Sequence, residues 1–217
     1  MITYKNVWLA VILMIATSPL SASVIYDNGP VDLTFNARLS DSDANNFAAD
    51  DFTLSSGANE IQDVHWWGAY IGDILDDFNI LIYEDAGGSP TTPIGSSAIY
   101  DENIGDVGRT DTGIDVSGFD VYEYWADIST FTATPDETYW LSIVNNGGSS
   151  SSWYWSFDQP IGIGANGVST EFGTSWINTG DRRAFNLTNE VPEPTTLALF
   201  GIGLAGLGFA RKKRKSA

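Results

Sequence analysis

Thr138-Tyr139-Trp140-Leu141-Ser142-Ile143 alternates with a period of two: Tyr139, Leu141 and Ile143 fall on one face, and Thr138, Trp140 and Ser142 on the other. That period belongs to a β-strand with one face toward a core. The same alternation recurs on both sides of it. Phe78, Ile80 and Ile82 share a face against Asp77 and Asn79; Tyr122, Tyr124, Ala126 and Ile128 stand against Glu123, Trp125 and Asp127. Val64, Trp66 and Tyr70 oppose Asp63, His65 and Trp67, while Trp153, Trp155 and Phe157 oppose Tyr154. Clusters of Gly, Ser, Asn and Asp punctuate these runs, and no 10-residue stretch between 24 and 190 has helical periodicity. The pattern predicts an all-β chain: a single antiparallel β-sandwich of jelly-roll character over 24–190, with about eight to ten strands. Loops are expected at 40–46, 86–93, 102–109, 145–152 and 162–167.

Both ends differ from this middle. Lys5 precedes an apolar stretch, Val7 to Ala16, which Ser18-Pro19-Leu20 breaks before the small residues Ser21-Ala22-Ser23. That order reads as a signal peptide over 1–23, cleaved after Ser23. At the other end Val191-Pro192-Glu193-Pro194 leads into sixteen apolar-to-small residues, Thr195 to Ala210, and then Arg211-Lys212-Lys213-Arg214-Lys215. Sixteen residues at helical rise span roughly 24 Å, close to the ~30 Å of a hydrocarbon core once Arg211 and Lys212 snorkel. A transmembrane helix over 195–210 is expected, with the basic cluster 211–215 inside the cell and everything before Pro192 outside.

The order of these three parts resembles the PEP-CTERM sorting signal of Gram-negative bacteria, with Pro192, Glu193 and Pro194 matching its short motif. The resemblance implies processing by an exosortase, a membrane protease-transpeptidase that cuts near the motif and passes the protein to the cell surface or beyond. The middle region resembles a sandwich domain common in such proteins, on Ala49-Asp50-Asp51-Phe52-Thr53-Leu54, Val64-His65-Trp66-Trp67-Gly68, Tyr139-Trp140-Leu141 and Ala184-Phe185-Asn186-Leu187-Thr188. Association with exopolysaccharide and biofilm is implied by that family and not by the residues themselves.

Composition narrows the chemistry. All 28 carboxylates but only four basic residues, Arg38, Arg109, Arg182 and Arg183, lie between Val24 and Pro194, giving that part a net charge of −24. Such a surface repels nucleic acid and anionic lipid. The chain has no cysteine, its only histidine is His65, and no lysine lies between Val24 and Pro194. Thiol and Schiff-base nucleophiles are therefore absent there, and zinc lacks its usual ligands. No enzyme is expected, and no catalytic residue is assigned. Paired carboxylates of a glycan-active hydrolase are the third-ranked reading.

Two kinds of ligand fit what remains. Asp41, Asp43 and Asn45 place hard oxygen atoms at alternating positions of a turn-rich segment, a donor set that suits calcium, although Asn46 and Phe52 stand where an EF-hand needs Gly and Glu. The alternative is a solvated acidic loop. Trp67, Trp125 and Trp140 fall by parity on the polar faces of their strands, where an indole flanked by acceptors can stack on a sugar. The alternative is that loops cover these rings or that the rings pack a second small cluster. Taken together, the sequence predicts an exported, non-catalytic surface or extracellular-matrix protein, with a carbohydrate- or calcium-binding module as the second reading.

Overall fold

Thirteen strands carry the alternation: β1 (Val24–Asp27), β2 (Ala37–Leu39), β3 (Ala48–Thr53), β4 (Glu60–Gly72), β5 (Phe78–Glu84), β6 (Tyr100–Ile104), β7 (Gly108–Val116), β8 (Phe119–Thr132), β9 (Thr138–Asn145), β10 (Ser151–Ser156), β11 (Val168–Thr170), β12 (Trp176–Asn178) and β13 (Phe185–Thr188). The computed structural model describes residues 23–189 apart from 30, 32–35, 93, 105–106, 117, 149, 159–166 and 171–174. The signal segment up to residue 22, the sorting residues 192–194, the helix expected over 195–210 and the basic cluster 211–215 lie outside the described residues.

The strands form two antiparallel sheets that pack face to face. In the first sheet the long β4 is central. β8 pairs along one side of it, with β7 beyond. The other side of β4 is shared: β13 pairs with Asp63–Trp66 and β10 with Gly68–Gly72, flanked in turn by β1 and β2. The second sheet runs β12-β11-β3-β9-β5-β6.

The faces read from period two are the faces that meet. Val64, Trp66, Tyr124, Ala126, Trp153 and Trp155 of the first sheet and Phe78, Ile80, Ile82, Tyr139, Leu141 and Ile143 of the second are buried in one core. Phe78 crosses the gap between the sheets. Its ring meets Trp66 at 5.4 Å, Tyr124 at 5.3 Å and Trp153 at 5.0 Å between centroids, each edge-to-face. Edge-to-face contact sets the positive ring edge against a negative ring face, a gain beyond area burial. Gly68 makes this cage possible: a Cβ there would lie 2.6 Å from the Trp153 indole. In β4 a bulge between Ile61 and Asp63 changes the phase, so that Ile61 and Val64, three apart, both face inward.

At one edge of the core sits a buried polar network. Asp50, on the inner face of β3 between Ala48 and Phe52, accepts from Asn28 Nδ2 at 2.8 Å, from the Arg183 amide at 2.5 Å and from the Asp51 amide at 3.0 Å. Burial pushes its carboxyl up to about 7, against the opposing charge and amide of Arg183. The Arg183 guanidinium is fully buried; it donates to Asp181 at 2.5 Å and lies 4.9 Å over the Phe157 ring. Asp181 also accepts from Arg38 at 2.6 Å. Burial alone would raise the Asp181 carboxyl, but Arg183, Thr179 and Arg38 hold it below the ordinary carboxylate range.

Two expectations need correction. The loop expected over 102–109 is too wide, since Glu102–Ile104 close β6 and Gly108–Arg109 open β7. There are also more strands than expected, because β2, β11 and β12 have only three residues each and leave no periodic trace. The turn at 40–46 is as expected, with Asp41 and Asn46 exchanging both backbone bonds.

Phe78→Ala is expected to lower stability by about 3–5 kcal/mol, since the truncation leaves a cavity inside an aromatic cage; a urea unfolding curve measures it. Asp181→Ala leaves the Arg183 charge buried without its ion-pair partner, so a loss of about 3–5 kcal/mol is expected in the same measurement.

Candidate functional site

The outer face of the first sheet carries a cross-strand row. His65 of β4 pairs with Trp125 of β8, which pairs in turn with Gly108 of β7. Because β-strands present every second residue to one face, Asp63 and Trp67 flank His65, and Glu123 and Asp127 flank Trp125. Trp125 is 37% exposed. Its indole leans across β7 and lies where a Cβ of Gly108 would be, so the missing side chain is the seat of the ring. The His65 ring is close to parallel with the indole, at 25° and 6.3 Å between centroids.

Both ring nitrogens of His65 have carboxylate partners: Nε2 lies 3.0 Å from Asp63 Oδ2 and Nδ1 3.2 Å from Glu123 Oε1. Burial lowers the imidazole pKa, but the hydrogen bonds and charges of Asp63 and Glu123 outweigh it and the net shift is upward. Asp63 is nearly covered, and it also accepts from Thr188 Oγ1 at 3.0 Å. Burial and the Asp63 charge raise the Asp127 carboxyl above its ordinary value. The row therefore consists of an imidazole held between two carboxylates, beside an exposed indole.

The three tryptophans named from parity have different surroundings. Trp125 is exposed. Trp67 shares its face but is half-buried against Val31, Val121, Ala184 and Ile114. Trp140 lies on the opposite side of the molecule, on the outer face of the second sheet, and is only 1% exposed. It packs with Ala49, Leu81, Tyr83, Val144 and Val168 in a second cluster, and its Nε1 donates to Asp85 Oδ1 at 2.8 Å. Trp140 keeps its outward parity but not the exposure a stacking platform needs: β9 is central in its sheet, and Phe47, Ala98 and Trp176 pack over this cluster.

In the turn at 41–46, Asp41 is buried and Asp43 and Asn45 are exposed. The Asp41 carboxylate accepts from the amides of Asp43 at 3.0 Å, Ala44 at 3.4 Å and Trp153 at 3.3 Å. It closes its own turn and ties that turn to β10. Asn45 takes a φ of 54°, a conformation in which Asn is common. Among the described residues, no group of three or more His, Cys, Asp or Glu side chains is arranged to hold a metal ion.

A recess of about 450 Å³ is lined by Glu84, Asp85, Thr134, Asp136, Glu137, Thr138 and Tyr139. Burial raises the Asp85 carboxyl, but the hydrogen bonds of Trp140, Gly88, Gly87 and Ser89 together outweigh it and hold it below the ordinary carboxylate range. That is the wrong direction for a general acid.

Sequence reasoning placed Trp125 and His65 on the polar faces of their strands but placed Gly108 in a loop. A polar strand such as Gly108-Arg109-Thr110-Asp111 offers no hydrophobic period to detect. Of the two partners of His65, Asp63 is visible two residues away, whereas Glu123 is brought in only by the β4–β8 register.

Residues 190–215 match the family model of the PEP-CTERM protein-sorting motif. A sorting motif containing Pro192, Glu193 and Pro194 is thus present near the C-terminus; it implies sorting by an exosortase-type enzyme and is itself non-catalytic. Comparison with curated proteins and with solved structures gives no significant match.

The pH dependence of stability should carry the mark of His65. Its pKa is raised in the folded state, so its contribution is fully present below about pH 6.5 and fades as pH rises through the raised value. Melting temperatures across pH 5.5 to 9 should show that decline on top of the one Asp50 contributes up to about pH 7, and His65→Gln should make the profile shallower while lowering the melting temperature at the acidic end.

Proposed function

We propose that this chain is an exported cell-surface or extracellular-matrix protein, without catalytic activity of its own, associated with exopolysaccharide. The observation that carries the reading is the sorting motif at 190–215, directly behind the last strand of a folded sandwich. In this reading residues 1–23 are a signal peptide, removed after Ser23. Residues 195–210 hold the precursor in the inner membrane, with 211–215 on the cytoplasmic side. An exosortase-type enzyme then acts near Pro192-Glu193-Pro194 and hands the body to the surface or the medium.

Two features of the body support life outside the cell. It has no cysteine to oxidise, and its high negative charge keeps it dispersed. The order of the ends supports the route: β1 begins at Val24, and Ser23 beside it is exposed, with its carbonyl accepting from the Asn189 amide at 3.3 Å.

Mass spectrometry of protein recovered from surface and medium fractions tests this. The expected product starts at or next to Val24 and lacks the basic tail. Deletion of 192–194 should leave a membrane-bound precursor that retains it. Full-length chain found in the cytosol, or normal release of the deletion variant, overturns the reading.

A further inference from the structure

We propose that the outer face of the first sheet, centred on Trp125, is a stacking site for a neutral hexopyranose glycan. The proposal rests on the reading of an exopolysaccharide-associated surface protein and names the place on it that touches the polymer.

Three observations carry it. First, Trp125 is the largest exposed apolar side chain among the described residues, on a face of the sheet where its strand neighbours Glu123 and Asp127 are polar. A single exposed indole amid carboxylates is the opposite of the environment that favours burial of apolar area. Second, the ring is held in place. It lies on Gly108, where any side chain would displace it, and it stands beside His65. His65 is in turn fixed by Asp63 and Glu123 at 3.0 and 3.2 Å. A rigid ring loses little conformational freedom when a ligand stacks on it. Third, acceptors lie on both sides. Glu123 and Asp127 are two residues either way along β8, about 6.6 Å at strand rise.

These features select one ligand chemistry. A hexopyranose rich in equatorial hydroxyls has a flat face of C–H groups that suits an indole, and hydroxyls around its rim that donate to carboxylates. An anionic glycan would set its charges against Glu123 and Asp127 on a body that is acidic throughout. A protein partner would cover a far larger area than one ring.

Native affinity electrophoresis of the protein recovered from cells tests the site. The gels contain a panel of soluble neutral glycans (β-glucan, α-glucan, galactomannan) or alginate as the anionic probe. Retardation by at least one neutral glycan is expected and none by alginate; added salt should change the neutral result little, since contacts with an uncharged ligand are weakly screened. Trp125→Ala should weaken the apparent Kd by roughly tenfold or more. Gly108→Ala keeps the indole but takes away its seat, so it should weaken retardation as well, and it guards against a folding defect in the first variant. No retardation by any neutral glycan, retardation by alginate alone, or retardation unchanged in both variants overturns the site. Both variants keep the sorting motif and should be exported as before, so a failure here is distinct from a failure of the export reading.

Discussion

One ring from the second sheet, Phe78, sits among three rings of the first, and that interlock fixes how the two sheets face each other. Hydrophobic burial alone does not choose between sliding registers of two apolar faces, because area is insensitive to small shifts. Edge-to-face aromatic contacts are sensitive to them. Trp66, Tyr124 and Trp153 come from β4, β8 and β10, so the single residue Phe78 reports on the alignment of three strands at once. The chain has no disulfide to enforce that alignment. Rings perform the task that cross-links perform in many small exported domains. Gly68 belongs to the same device, since it lets Trp153 lie close against β4.

The second constraint is charge. A body with four arginines and 28 carboxylates has few cations to distribute, and every one is used to fasten structure. Arg183 and Arg38 bind Asp181 and both lie over the Phe157 ring, at 4.9 and 5.8 Å from its centroid. Arg182 pairs with Asp158 and reaches Asn28. Arg109 pairs with Asp76 and covers Tyr122 at 4.9 Å. None is left as an isolated surface cation, so the exterior presents many carboxylates and no free arginine. For a hydroxyl-rich polymer that is a favourable surface, and for a polyanion it is a repulsive one.

Much of this was legible in the sequence, and the misses have physical causes. Period two placed Phe78, Ile80, Ile82, Tyr139, Leu141, Ile143, Trp153 and Trp155 on inward faces because one face of each strand meets the core. It placed Trp140 on the outer face but did not give its burial, because β9 is covered on both sides. Alternation with Thr138 and Ser142 imitates a half-solvated strand, yet Ser142 is buried and donates to the Ala48 carbonyl at 2.8 Å. It failed for Glu102–Ile104 and Gly108–Arg109 because this stretch is mostly polar or small. Only pairing with β5 and β8 makes them strands. The candidate site was half readable: Trp125 and His65 follow from parity, but the glycine beneath the indole and the glutamate beside the imidazole are brought there by register between distant segments.

The first and last strands of the body lie side by side, with Val24 opposite Thr188. A domain whose two ends meet at one point can be spliced into a surface loop of a host protein without stretching either partner, or reconnected end to end and opened elsewhere. The fold is in that sense a closed cassette: its origin and terminus can be exchanged for a short linker, and the interlocked sheets would not register the change.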